Sequence, residues 1–121
     1  MKLKILAKSS SNPEFPYDVI FRKKNGEITI SCSCPAGSLG WLCKHKLELI
    51  QCNQRMLHNP NDKKSLDAIS ELLEGSAVLS IVNEYCQKVK DIEKRQNDLK
   101  EELKALKHQL ARKMNQGINL L

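Results

Sequence analysis

Aromatic side chains are scarce in this chain. One tryptophan, two tyrosines and two phenylalanines make up 4% of its 121 residues. Aromatic side chains supply much of the buried area of a small core, so a domain with so few of them needs another source of stability. The length allows one domain, or one small domain with an extension.

Long apolar runs are absent as well. No segment approaches the ~18 to 20 consecutive apolar residues that a membrane-spanning helix needs. The first eight residues have lysines between their apolar side chains, so they lack the apolar segment of a signal peptide. These features predict an intracellular, cytoplasmic protein with no membrane partner. Thiols in that compartment stay reduced, so clustered cysteines favour a metal site over disulfide bonds.

Positive charge is concentrated in the first half of the chain. Of the formal net charge of +6, residues 1–58 contribute +5 and residues 59–121 contribute +1. A basic half favours an acidic partner, of which nucleic acid is the commonest, although solubility alone also explains the charge. The candidate nucleic-acid-binding residues are Lys4, Arg22, Lys23, Lys24, Lys44 and Lys46. Their alternative role is a scattered solvated surface.

The pattern of residues 1–58 predicts a small three-stranded antiparallel sheet followed by a helix. The predicted strands cover residues 2–8, 17–23 and 27–31, and the last two alternate in polarity. Asn25-Gly26 between them is the strongest short signal for a hairpin turn, since both residues tolerate positive φ. A tight loop is predicted over residues 35–40, and apolar residues at helical spacing then predict a helix from Lys44 to about Leu57.

The second half of the chain predicts helices. A short helix is expected over residues 65–74, with Gly75 as its cap, inside a segment covering residues 62–75. Ser76 is expected to cap a long helix that ends near Met114, within residues 76–116. Apolar positions of this helix alternate by three and four residues, which predicts a coiled coil. The overall fold class is therefore α+β, a small three-stranded antiparallel sheet and helix followed by a helical, coiled-coil extension.

The heptad positions of the long helix predict a homodimer. At ~1.5 Å per residue the helix is too long for the short helix before it to cover. Its C-terminal half therefore needs a second chain, either another copy or a different protein, in an orientation that the sequence leaves open. The predicted dimer seam consists of Val89, Ile92, Gln96, Leu99, Leu103, Leu106 and Leu110.

Four metal-type ligands lie within fourteen residues. Cys32 and Cys34 precede a gap of eight residues, after which come Cys43 and His45. Residues i and i+2 of a strand point the same way, so Cys32 and Cys34 direct both sulfurs at one point. Three thiolates and one imidazole are the donors that a structural zinc ion prefers. The sequence predicts one structural Zn2+ per chain, although four unrelated buried residues are the alternative.

Catalysis is not expected at this site. Four protein ligands leave no open position on zinc for water or substrate. No acidic residue lies beside the ligands as a general base, since the nearest, Glu48, falls on the following helix. The chain also shows no nucleophile–base pair and no phosphate loop, so we predict that it is not an enzyme.

The spacing resembles the SWIM zinc finger, which is defined by Cys-x-Cys, a variable loop and Cys-x-His. The match runs from Cys32-Ser33-Cys34-Pro35-Ala36-Gly37 to Cys43-Lys44-His45, with the strand at Tyr17-Asp18-Val19 before it and an apolar helix after it. The resemblance covers roughly residues 1–57. It implies a zinc module associated with DNA binding and with protein–protein contacts, and it transfers only the ligand roles of the four residues.

Four further residues also have expected roles. Trp41, between the ligand pairs, is expected to cover the metal site, or else to be an exposed stacking or docking residue. Cys52 and Cys86 fall on predicted helical stripes and are expected to be small buried residues. His58 is a substitute ligand only if the helix after Lys44 is shorter than predicted.

Together these patterns predict a non-enzymatic zinc-binding module. The basic half would bind nucleic acid, with DNA favoured, and the long helix would form a dimer. The alternative is a protein–protein adaptor or regulator that docks a larger enzyme through the zinc module or the coiled coil.

Overall fold

The computed structural model describes all 121 residues, and the sheet forms as the alternating patterns predict. Its strands are β1 (Lys2–Ala7), β2 (Tyr17–Lys24) and β3 (Glu27–Cys32), all antiparallel, in the order β1-β2-β3. Asn25 has a φ of 54° and Gly26 a φ of 79°. Positive φ at both positions is what a two-residue I′ turn requires, so the predicted hairpin is confirmed.

One face of the sheet carries the core. Phe21 of β2 lies opposite Leu3 of β1 and Ile30 of β3, while Val19 lies opposite Ile5 and Cys32. Opposed residues of paired strands share a face, so one apolar layer forms across all three strands. This layer ends at Cys32, which places the first metal-type ligand at the rim of the core.

Four helices follow the sheet. They are α1 (Pro35–Ser38), α2 (Lys44–Ile50), α3 (Lys63–Leu73) and α4 (Val78–Gln116), with a single 3-10 turn at Gln54–Met56. The predicted loop over residues 35–40 thus contains one helical turn. The predicted α+β class, with its sheet, helices and long C-terminal helix, is confirmed.

The helix after the ligands ends earlier than predicted. We expected it to continue to about Leu57, but α2 stops at Ile50, and Cys52 adopts a φ of 57°. The Asn53 side chain then accepts the Arg55 N–H and starts the 3-10 turn. This route brings Leu57 beside Ala7 on the free edge of β1, where the two form an antiparallel bridge. The pairing of Leu57 with this edge therefore outweighs the helical spacing of the apolar residues after Ile50.

Helix α3 forms nearly where the pattern places it. Asp62 caps its first turn, because the carboxylate accepts the N–H and the hydroxyl of Ser65 at 3.4 and 2.5 Å. Ile69, Leu72 and Leu73 are buried, as expected from their spacing. Gly75, with a φ of 75°, follows the helix and confirms the predicted cap.

The chain forms two compact units, Met1–Val82 and Asn83–Leu121. The first contains the sheet, α1 to α3 and the start of α4, where Val78 and Val82 pack against the core. The second consists of the rest of α4 and the five residues after it. None of the helices combines the length and the apolar character needed to cross a membrane.

Candidate metal centre

The four predicted ligands come together from three different elements. Cys32 ends β3, Cys34 immediately precedes α1, Cys43 immediately precedes α2, and His45 lies in the first turn of α2. All four are buried, and their ligand atoms lie within 4.8 Å of one another. A tetrahedral zinc ion with its usual bond lengths separates sulfur ligands by about 3.8 Å. The cluster therefore has the size and the donor set that one zinc ion needs.

Two of the thiols cap helices. The Sγ of Cys34 accepts the Gly37 N–H at 3.2 Å, and the Sγ of Cys43 accepts the Lys46 N–H at 3.4 Å. Each sulfur thus takes a backbone donor at the start of a helix. The same bonds orient the sulfurs toward the cluster. Sequence spacing identified both ligands but gave no sign that they act as caps.

His45 is held without a polar partner. Both ring nitrogens, Nδ1 and Nε2, are buried, and no group is placed to form a full hydrogen bond with either. The ring packs against Tyr17, with centroids 4.9 Å apart. A buried polar atom without a partner costs free energy unless something else satisfies it. A metal ion bound to one nitrogen removes that cost, which is an independent sign that the site holds zinc.

Burial keeps the imidazole of His45 in the form that binds metals. Desolvation lowers its pKa, and the positive charge of Lys44 lowers it further, while the Lys8 backbone and Glu48 act weakly in the opposite direction. Neutral imidazole is the ligand form of histidine. Zinc on one nitrogen leaves the other as an N–H donor, and the Lys8 backbone is the neighbouring acceptor for it.

The thiols differ in how readily they lose a proton when no metal is bound. Burial raises the pKa of Cys32 to about 12; the Cys34 backbone N–H acts against the rise, while the side chains of Cys34 and Cys43 add to it. Burial also acts against ionisation of Cys34, but the Gly37 N–H and the adjacent thiols outweigh it and lower the pKa. Three thiolates cannot coexist here without a cation, so zinc must displace protons when it binds.

Gly37 is required because the chain approaches Cys32 closely. A Cβ at position 37 would lie 2.8 Å from the Cβ and 2.9 Å from the carbonyl carbon of Cys32, and it would overlap the Cys32 carbonyl oxygen. Gly40 in the same loop has a positive φ of 77°, whereas Gly37 does not. Space, and not backbone conformation, is therefore the reason for glycine at position 37.

The remaining sequence-based candidates lie outside the cluster. Trp41 is 64% exposed, so the expectation that it covers the metal site is wrong. His58 is exposed although α2 is short, and it does not join the four ligands. Cys52 is half-buried and follows α2, so its predicted place on a helical stripe is wrong, whereas Cys86 is half-buried on α4. Tyr17 was predicted only as a strand residue, and its ring contact with His45 was not.

The six basic candidates belong to both faces of the sheet and to the start of α2. Lys4, Arg22 and Lys24 alternate with the buried residues of their strands and so belong to the outer face of the sheet. Lys44 and Lys46 lie at the start of α2 beside the ligands, and Lys44 Nζ is 3.5 Å from the Ser10 hydroxyl. Lys23 is two residues after Phe21 on β2, so it lies on the core face of the sheet, past the last buried residue of that strand.

The arrangement explains what the metal does. A zinc ion held by these four residues would tie β3 to α1 and α2, and the burial of its ligands would shield it from solvent. A family model described as the SWIM zinc finger matches residues 17–53, which include β2, β3 and all four ligands. No curated protein and no solved structure matches the chain. Residues 17–53 are thus similar to a SWIM zinc finger, and the buried cluster of Cys32, Cys34, Cys43 and His45 fits one structural zinc ion.

Proposed function

We propose that this protein is a non-enzymatic nucleic-acid-binding module, with DNA as the favoured ligand. The observation that carries the proposal is the basic outer face of the sheet. Lys2 and Arg22 lie opposite each other on β1 and β2, Lys4 is two residues along β1, and Lys24 is two residues along β2. All four side chains are exposed, so they form one patch of positive charge.

Few acidic groups oppose this patch. Asp18 forms an ion pair with Lys4, at 3.6 Å between Nζ and Oδ1, and Glu27 lies opposite Lys24. Arg22 faces Thr29 instead, so its charge is not neutralised across the strands. Net positive charge on a flat open face attracts the phosphate backbone with little dependence on sequence. The zinc ion supports this face indirectly, because it fixes the end of β3.

Charge reversal on the outer face should weaken nucleic-acid binding. We expect the double variant Arg22→Glu/Lys24→Glu to lose most of its affinity for duplex DNA at low salt. The slope of log affinity against log salt should become shallower by about two, one for each phosphate contact removed. Fluorescence anisotropy with a labelled duplex, titrated at several salt concentrations, measures both quantities.

The matched control is Lys63→Glu/Lys64→Glu, which makes the same change of charge at the start of α3. Both lysines are exposed and lie outside the sheet. Equal losses in the two double variants would mean that net charge alone determines binding. Absence of binding by the unmodified protein to DNA and RNA at low salt would end the proposal.

The same proposal assigns dimer formation to α4. This helix has no buried residues, and its apolar side chains remain about half exposed at heptad spacing. The exposed apolar positions toward its C-terminal end are Ile92, Leu99, Leu103, Leu106 and Leu110. A row of large apolar side chains on one face of a helix of about 58 Å favours a second helix as its cover. Gln96, at a seam position, would select the register at some cost in stability.

Acidic residues in the seam should abolish the dimer. The unmodified protein is expected to sediment as a dimer at micromolar concentration, and Leu99→Glu/Leu103→Glu as a monomer, because four carboxylates would be buried in an apolar seam. The control, Asn97→Glu/Ala105→Glu, adds the same charge at exposed positions outside the seam and should remain dimeric. A monomeric unmodified protein in analytical ultracentrifugation would contradict the assignment.

A second candidate function is a protein adaptor. The observation in its favour is the exposed apolar group between the ligand pairs, in which Leu39, Trp41 and Leu42 are all more than half exposed. Such side chains next to a rigid metal site suit a protein contact. One variant distinguishes the two functions. Trp41→Ala should weaken a protein contact of an adaptor and leave the salt-dependent binding of nucleic acid to the outer face unchanged.

A further inference from the structure

A groove lies at the edge of β1, where the segment after α2 returns to the sheet. Its volume is about 440 Å³, within the range of about 300 to 1,000 Å³ typical of small-molecule sites. Four of its lining side chains are basic or hydrogen-bond donors: Lys8, Gln54, Arg55 and His58. Three others are apolar: Pro13, Leu57 and Pro60. All belong to the unit Met1–Val82.

Hydrogen bonds fix the walls of this groove. The Lys8 N–H donates to the Met56 carbonyl at 2.7 Å, and the His58 N–H donates to the Leu6 carbonyl at 3.0 Å. On the far side, Gln54 Nε2 donates to the Pro60 carbonyl at 2.5 Å. These bonds join β1 to the 3-10 turn and to the residues after it. A ligand would therefore enter a groove that is already formed, with little ordering cost.

The lining selects for a negative charge. Neither aspartate nor glutamate contributes to it, while Lys8 and Arg55 bring two permanent positive charges and His58 an imidazole. Lysine and arginine are the usual phosphate-binding side chains. Pro13, Leu57 and Pro60 are apolar, so a ligand that fills the groove also needs an apolar part. An inorganic anion would leave that wall without a contact, and an apolar ligand would leave the cations unpaired.

We propose that this groove binds a nucleoside monophosphate, with the phosphate held by Lys8 and Arg55 and the base against the apolar wall. A base is flat and packs on proline rings, on imidazole and on guanidinium planes, all of which line the groove. The nucleotide has two sources: it is free in solution, or it is one unpaired residue of a strand. The inference stands without the nucleic-acid function proposed above, because it uses none of Lys2, Lys4, Arg22 or Lys24.

The test is a titration of the isotopically labelled, zinc-loaded full chain, followed through its backbone amide signals. Adenosine monophosphate and uridine monophosphate should shift the amides of Lys8, Arg55 and His58 with a Kd below about 1 mM. Inorganic phosphate and adenosine, which each carry half of the chemistry, should bind at least about tenfold more weakly. If a 5′-phosphorylated single-stranded oligonucleotide shifts these amides at lower concentration than the monophosphates, the strand is the source, and otherwise it is the free nucleotide.

Variants separate the groove from the rest of the surface. Arg55→Ala should weaken monophosphate binding about tenfold, since it removes a charged hydrogen-bond donor. Lys63→Ala, which removes a positive charge elsewhere, and Arg22→Glu/Lys24→Glu should leave it unchanged. Equal affinity for phosphate, adenosine and the monophosphates, or an Arg55→Ala variant that binds normally, would overturn the proposal. One bound zinc per chain in each variant shows that the fold is retained.

Discussion

Replacing Cys34 with serine should unfold the unit Met1–Val82. Cys34 supplies one of four ligands and also caps α1 through the Gly37 N–H. Structural zinc contributes on the order of 10 kcal/mol or more of apparent folding free energy in small modules. Whole domains are stable by only about 5 to 15 kcal/mol. The loss of the ion is therefore as large as the total stability of the unit.

The result is measured by zinc content and by the dispersion of amide signals from the sheet. The variant should bind much less than one zinc ion per chain and lose the signals of β1 to β3. Cys52→Ser is the matched control, because it makes the same chemical change at a half-buried thiol outside the cluster, and it should keep both zinc and fold. A metal-free Cys34→Ser protein that retains a dispersed spectrum would contradict the structural role of zinc.

The composition of the core explains why zinc contributes so much of the folding free energy of this unit. Phe21 is the only aromatic side chain among the buried apolar residues of the unit, and the others are aliphatic or sulfur-containing. Three of those sulfur-containing residues are the ligands Cys32, Cys34 and Cys43 themselves. Without zinc, three thiols and an unpartnered imidazole would occupy one end of the core. The small apolar layer is stable because zinc would bind these four polar groups and so stabilise the end of the core that they occupy.

Local patterns predicted most of the fold and the whole ligand set. The alternation around Phe21, the Asn25-Gly26 turn and the spacing of Ile69, Leu72 and Leu73 each depend on neighbours close in sequence, where propensity and periodicity apply. The ligands were predictable for the same reason, because residues i and i+2 of a strand share a direction whatever the rest of the chain does. Their convergence in space confirms that prediction.

The errors concern positions that a specific contact decides. The end of α2 depends on the free edge of β1, where Leu57 forms a bridge with Ala7 across some fifty residues of sequence. Trp41 lies in a loop whose backbone is held locally, since its N–H donates to the Ala36 carbonyl at 3.0 Å, and its ring is exposed. Neither effect leaves a periodic trace in the sequence, so propensity alone could not find it.

The close approach of Gly37 to Cys32 is the contact that a substitution tests most sharply. Alanine at this position should destabilise the unit by about 3 kcal/mol, because its Cβ would overlap the backbone of Cys32, and backbone cannot move aside as a flexible side chain can. The displaced turn would also withdraw the N–H that Gly37 donates to Cys34 Sγ. Both effects act on the ligands, so zinc affinity should fall by about a hundredfold, the equivalent of that free energy.

Gly40→Ala separates lack of space from backbone conformation. Gly40 has a φ of 77° but no atom within 4 Å of an added Cβ, so its replacement should cost only about 1 to 2 kcal/mol, through φ alone. Competition with a chelator gives the zinc affinity of each variant, and thermal unfolding of the zinc-loaded protein gives the stability. If Gly40→Ala were as damaging as Gly37→Ala in both measurements, the loop would be sensitive to any glycine replacement. A larger effect at Gly37, present in zinc affinity as well as in stability, follows only if the close approach to Cys32 positions the metal ligands.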